Sequence, residues 1–187
     1  MTYFNQQKVK TLGDNKIMGL GEIIRYNNRP KIKNENVAEH SFYVVTTVIK
    51  ICNLYNIGDM IRLKALEFAA VHDIAELLIG DIPYDTKVNN PELRAAVEQA
   101  EVTALENHMP EYLDAYKKFL EEEKEETVAY LITKLADTVS VLQYSNRELD
   151  LGNKTLQMRE INEGAQERVF RLVQKLEDKL ELPTEEF

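Results

Sequence analysis

Cys52 is the only cysteine, so the chain cannot form an internal disulfide; a reducing, cytoplasmic setting is expected. Glycine and proline are scarce, seven and five among 187 residues. That leaves little room for turn-rich β architecture. No run approaches the ~20 apolar residues that a membrane-spanning helix needs. The opening segment MTYFNQQKVK has no long apolar core of the kind a secretion signal carries. Basic charge is also short, with 23 Lys and Arg against 32 Asp and Glu, a net charge of −9. This argues against binding of nucleic-acid polymers, where a basic surface supplies most of the affinity. A small phosphorylated ligand stays possible, because a metal and a few placed Arg or Lys neutralise one phosphate locally.

What is present reads as an ordinary soluble globular composition, 44% apolar and 29% charged. The length suits one domain with a single core. The expected fold is all-α, a single domain over residues 1–187 with five to seven helices. Its core covers about 20–155 and its last helix about 154–180. From Thr2 to about Leu20 one or two short helices are plausible. Residues 21–36 are polar and Asn-rich and carry Pro30, which predicts a loop. A helix capped by Asn34 or Asn36 then runs to about Tyr55, with Val44, Val48, Ile51 and Tyr55 on one face. A second helix is predicted over Met60–Ile79, ended by Gly80, and DIPYDTKVNN as a loop. Pro91 opens a third helix. Pro110 restarts a fourth, ending near Leu120. The acidic run EEEKEE at 121–126 reads as the solvated start of a fifth, which continues to Gly152. The tail ELPTEEF is expected to fray.

The chemistry concentrates in AVHDIAELLIGDIPYDT, residues 70–86. His72, Asp73, Glu76 and Asp81 can each bind a metal or move a proton, yet their neighbours are apolar. Buried acids need a partner or a cation. Only three histidines occur, His40, His72 and His108. His40 and His72 each adjoin an acid in an apolar helix, and Asp137 is the one acid in LITKLADTVSVL. Three helices could bring His40, His72, Asp73 and Asp137 to one point. Two imidazoles and two carboxylates suit one divalent transition metal: Mn²⁺, Fe²⁺, Co²⁺, Zn²⁺ or Ni²⁺. Mg²⁺ is less natural because of the nitrogens. A spacing of four residues lets Glu76 share a helical face with His72.

His…His-Asp…Asp on successive helices resembles the HD-domain superfamily of metal-dependent phosphohydrolases. The longer segments ENVAEHS, HDIAELLIGDIP and KLADTVSVL, in that order and with Arg25-Tyr26, resemble the YfbR-like bacterial 5′-deoxynucleotidases over about residues 20–155. The resemblance implies a helical HD domain around a central metal, with His40, His72, Asp73 and Asp137 as ligands. It implies that Glu76 orients or activates the attacking water and that Asp81 lies near the leaving oxygen and the sugar. It makes Arg25 the phosphate-binding arginine, places Tyr26 against sugar and base, and offers Lys87 as a further phosphate contact. It also suggests a homodimer. Two positions depart from the pattern. Tyr26 stands where these enzymes carry Trp, and Tyr-Asp-Thr-Lys follows Pro83 where the family often has Thr-Pro and then Lys.

Taken singly, each residue has a duller reading: a satisfied core histidine at His40, an acid paired with Lys or Arg at Asp137, a turn-stabilising Asp81, a surface ion pair at Arg25. Their joint occurrence in order favours hydrolysis of deoxynucleoside 5′-monophosphates to deoxynucleoside and phosphate. The same chemistry on a deoxynucleoside triphosphate is the nearest alternative. A non-catalytic nucleotide-sensing module is the alternative of another class.

Overall fold

The computed structural model describes residues 16–181 together with Lys8 and Leu12; of Asp85 only the backbone is described. Most of the expected N-terminal helical stretch, and the tail beyond Glu181, lie outside the described residues. Among the described residues Lys16–Glu22 forms a short 3₁₀ helix, and eight α-helices follow. They are α1 (Val37–Leu54), α2 (Asp59–Val71), α3 (Glu76–Ile79), α4 (Tyr84–Val88), α5 (Pro91–His108), α6 (Leu113–Glu125), α7 (Val128–Asp150) and α8 (Leu156–Lys179). The only β pairing among the described residues is an isolated bridge between Ile24 and Asn36. The all-α expectation holds. Six of the eight helices are long, and α3 and α4 are single turns of four and five residues.

Local chemistry explains most of the boundaries. Asn36 caps α1 by accepting the Glu39 N–H at 2.9 Å, and Glu39 Oε2 accepts the Asn36 N–H in return at 3.2 Å. Asn90 accepts from Leu93 N–H in front of Pro91, so α5 starts where expected. Thr127 caps α7 through Tyr130 N–H.

Three boundaries differ from the expectation. The predicted helix 60–79 is broken at 72–75. There Ile74, Glu76, Leu77 and Leu78 donate to the carbonyls three residues back, at 2.9–3.3 Å, in a tight 3₁₀-like turn. The segment 81–90 is not wholly a loop, since it contains α4. EEEKEE does not open α7 but finishes α6. Acids at that end oppose the helix dipole, and cations from other elements offset this. Lys64 reaches Glu122 at 2.7 Å, Arg94 reaches Glu123 at 2.9 Å, and Lys175 pairs with Glu126.

The main core lies between α1, α2, α7 and α8. It contains Val44, Val48, Ile51, Phe68, Leu131, Ile132, Leu135 and Leu176. A smaller core packs Val71, Ile74 and Ala75 against Leu105, Met109 and Tyr116 of the α5–α6 side. The 72–75 turn therefore sits where the two cores meet. Among the described residues no helix is long and apolar enough to cross a membrane.

Candidate active site

His40 leaves α1 fully buried, and its Nε2 faces three polar atoms. These are His72 Nε2 at 3.3 Å, Asp73 Oδ2 at 3.4 Å and Asp137 Oδ1 at 3.3 Å. His72 Nε2 is 3.2 Å from the same Asp73 oxygen. Ligand-capable atoms of His40, His72 and Asp73 all lie within 4.8 Å of one another. Asp137 joins through His40, while its second oxygen accepts from Lys134 Nζ at 2.7 Å.

The far side of each ring sets its orientation. His72 Nδ1 lies 2.9 Å from the Ala69 carbonyl, so it must donate, which leaves the Nε2 lone pair toward the cluster. His40 Nδ1 lies 3.1 Å from Ser140 Oγ, which can accept in the same way.

Electrostatics follow the packing. Burial, helped by the Arg25 charge, pushes the His40 imidazole down to about 4, against the pull of Asp137 and Asp73. It is therefore neutral at ordinary pH. Burial also opposes ionisation of Asp73 and Asp137. For Asp73 the pairing with His72 outweighs it, and the same pairing raises the His72 imidazole against burial; for Asp137 the Lys134 charge and the hydrogen bond with His40 do. Both carboxyls are held below their usual range. Two imidazole nitrogens thus converge with two carboxylates, and this donor set fits a divalent cation.

Glu76 is buried at 7% exposure, and its Oε2 has no hydrogen-bond partner. Burial, then the Asp73 and Asp81 charges, raise its carboxyl well above the usual range. The tight turn explains its placement. In a 3₁₀ turn residues three apart eclipse, so Asp73 and Glu76 project to the same side, and both line the two cavities that meet here. The expectation that Glu76 lies one α-helical turn beyond His72 is corrected accordingly.

The larger cavity, of about 240 Å³, is lined by Arg25, Tyr26, Asp73, Glu76, Asp81, Lys87 and Asp137, among others. Arg25 donates to the buried Glu35 carboxylate at 2.8 Å. Asp81 lies past Gly80, whose φ of 84° favours glycine, and it accepts the Tyr26 N–H at 3.2 Å. The Tyr26 ring stacks on Tyr144 with centroids 4.6 Å apart and planes 2° apart. Lys87 reaches both cavities from α4. The structure therefore gathers all nine expected residues into one region. His108 lies apart, where its carbonyl accepts from Lys16.

Several residues in or beside the site escaped the sequence reading. Lys134 sits three residues before Asp137, a spacing that pairs side chains on any helix. Glu35 adjoins the helix cap, with no local sign that it meets Arg25. Arg168 enters the larger cavity from α8, and its guanidinium lies 4.6 Å from the Tyr84 ring centroid.

The arrangement has the fold of HD-domain phosphohydrolases. An HD-domain phosphohydrolase from Listeria innocua superposes with a TM-score of 0.72 at 24% identity, covering 90% of this chain and 81% of that one. A protein from Pyrococcus horikoshii OT3 gives 0.70 at 24% identity over 89% and 91%. The cyanophage S-2L HD phosphohydrolase DatZ, solved with dA and one catalytic Zn²⁺, gives 0.58 at 21% identity over 86% and 95%. Within that fold the chain belongs to the 5′-deoxynucleotidase YfbR-like family, whose sequence profile matches residues 15–179. The 5′-deoxynucleotidase of Vibrio cholerae is 30% identical over 129 residues, 65% of this chain and 66% of that protein. The Pasteurella multocida 5′-deoxynucleotidase PM0747 is 28% identical over 140 residues, 71% of each. The chain thus spans about two thirds of the length of the curated relatives it matches.

Proposed function

We propose that the protein is a metal-dependent nucleotide phosphohydrolase, a 5′-deoxynucleotidase that converts deoxynucleoside 5′-monophosphates to deoxynucleoside and phosphate. The observation that carries this reading is the buried Glu76 carboxyl, with an unpartnered oxygen, in a cavity lined also by Arg25 and by Asp73 of the His40–His72–Asp73 cluster. A merely structural metal site needs neither Glu76 nor Asp81. Family membership and the 5′-deoxynucleotidase relatives point the same way.

His40, His72, Asp73 and Asp137 would hold the ion. The two imidazole nitrogens favour Mn²⁺, Fe²⁺, Co²⁺, Zn²⁺ or Ni²⁺ over Mg²⁺, and the DatZ neighbour, with its catalytic Zn²⁺, supports such an ion. When bound, a divalent cation acidifies water and draws off phosphoryl charge. Arg25 grips two phosphate oxygens, and Lys87 adds a point charge. Glu76 takes a proton from the attacking water as its oxygen bonds to phosphorus. The bond from phosphorus to the 5′ oxygen breaks in line, and Asp81 supplies the proton that this oxygen takes up. Tyr26 faces the sugar and base. The products are a deoxynucleoside and inorganic phosphate.

A second reading, hydrolysis of deoxynucleoside triphosphates, is favoured by the further cations Arg29, Lys134 and Arg168 in the same cavity. One assay tests both. Purified protein with Mn²⁺ or Co²⁺ is given deoxy- and ribonucleotide mono- and triphosphates, and the products are identified. Phosphate from deoxynucleoside monophosphates is expected. Triphosphate or pyrophosphate from the longer substrates would replace the first reading by the second. Tight nucleotide binding by the metal-loaded protein without turnover would sink both.

A further inference from the structure

One face of α7 does more than present Asp137. Tyr144 and Glu148 follow it by seven and eleven residues. At about 100° per residue the three fall within about 40° of one another, and at about 1.5 Å per residue they span roughly 16 Å. Both later residues hold the loop between Ile24 and Asn36 that carries Arg25 and Tyr26.

Glu148 is fully buried. Its two oxygens accept the backbone N–H groups of Ile32 and Lys33, both at 2.7 Å, and Oε2 also accepts from Asn153 Nδ2 at 2.8 Å. The same Asn153 amide donates to the Pro30 carbonyl at 3.0 Å. Tyr144 donates its hydroxyl to the Lys33 carbonyl at 2.8 Å, and its ring lies flat against Tyr26. The loop end nearer the site is held in a conformation it would not choose. Tyr26 has a φ of 57°, in the left-handed region that disfavours side chains. Such a residue persists only where its surroundings over-determine it. Here Asp81 takes its N–H, Lys31 Nζ donates to its carbonyl at 3.0 Å, and Tyr144 backs its ring.

We infer that Glu148 and Tyr144 are positioning residues, which fix Arg25 and Tyr26 at a set distance from Asp137 by clasping the loop to α7. One rigid helix thereby carries a carboxylate of the cation cluster and sets the place of the phosphate grip. The inference rests on the reading of Arg25 as that grip. Charge-assisted bonds from two successive peptide N–H groups to one buried carboxylate give the clasp strength and direction. The stack transmits it to Tyr26, and the chain bond to Arg25.

Two variants test it. Tyr144→Phe removes the hydroxyl bond to Lys33 and keeps the stack. Glu148→Gln replaces one accepting oxygen by an NH₂ group, which cannot accept from Ile32 or Lys33. In Glu148→Gln, KM for the hydrolysed nucleotide should rise about tenfold, in Tyr144→Phe about threefold, with kcat changed by less than about twofold. Co²⁺ affinity should be unchanged. Amide hydrogen exchange across 25–35 should quicken while 128–136 stays protected. In an Arg25→Ala background the KM effect of either variant should shrink, because the part that acts through Arg25 is already lost. Unchanged KM and exchange, or a KM effect that persists undiminished without Arg25, would overturn the inference. If Glu148→Gln does not fold, Tyr144→Phe decides. If the wild-type protein hydrolyses no nucleotide, the functional reading fails by itself, and the exchange rates with the affinity of the Co²⁺-loaded protein for inorganic phosphate still decide the clasp.

Discussion

Residues 128–136 and 137–148 of α7 both turn buried side chains into the molecule, yet the two halves are built on different physics. The first half buries mainly apolar side chains, Ala129, Leu131, Ile132, Leu135 and Ala136, in one core with Val44, Val48, Phe68 and Leu176, the exceptions being the hydroxyls of Tyr130 and Thr133. The second half buries Thr138, Ser140, Tyr144, Ser145 and Glu148 and carries Asp137. Apolar burial stabilises in proportion to area and tolerates small changes of shape. A buried polar group has to meet its partner at the right distance and angle, or it costs stability. Stability and geometry are thus assigned to different stretches of one helix. The apolar half holds α7 in place, and the polar half uses that placement to aim the His40 ring, the Asp137 carboxylate and the Arg25 loop.

The sharpest test of this division is Asp137→Ala. Metal uptake and hydrolysis should fall together, the latter on the order of 10³-fold, while the circular dichroism of the helices persists. Activity retained without Asp137 would break the comparison at its polar end. The matching change in the apolar half is Ile132→Ala, which leaves a cavity in the core. It should lower the free energy of unfolding by about 2–5 kcal/mol in urea titrations, with the Co²⁺ affinity of the folded protein unchanged. A loss of Co²⁺ affinity before any loss of stability would show that the halves are not separable.

The smallest effect expected is in pH dependence. Burial opposes ionisation of Glu148, but the Asn153 amide and the Ile32 and Lys33 N–H groups outweigh it and hold the carboxyl below its usual range. Such a group stabilises the fold above the unfolded-state pKa of about 4.3. That contribution is lost as pH falls through the lower folded value. The stability gap between wild type and Glu148→Gln should therefore be largest near neutral pH and narrow below about pH 4.3. Ile132→Ala should show no such narrowing. A gap that stays constant with pH would mean that Glu148 does not act as a charge.

Much of the scaffold was legible because its signals are local. Asn36, Pro91, Gly80 and Gly152 mark boundaries by what they do to their own backbone or to one three residues away. The α1 periodicity from Val44 to Tyr55 marks a buried face within a few turns. The order of His40, His72-Asp73 and Asp137 on apolar helices was enough to expect a cation cluster, because acids in such surroundings need compensation. What failed was set by distant partners. EEEKEE looked like a solvated helix start, yet it ends α6, since Lys64, Arg94 and Lys175 come to it from α2, α5 and α8. The 72–75 turn looked like continuous α-helix because its residues favour helix, and the tighter winding lies at the junction of two packed cores.

The sequence by itself determined the helical class, most helix boundaries and the expectation that His40, His72, Asp73 and Asp137 meet. Those follow from periodicity, capping and the cost of burying charge. Only the tertiary structure decided that Asp73 and Glu76 eclipse on one side, that α8 brings Arg168 into the cavity wall, and that Glu148 anchors the Arg25 loop. Glu148 is 116 residues from Ile32 along the chain, and no local propensity can encode a hydrogen bond over that separation.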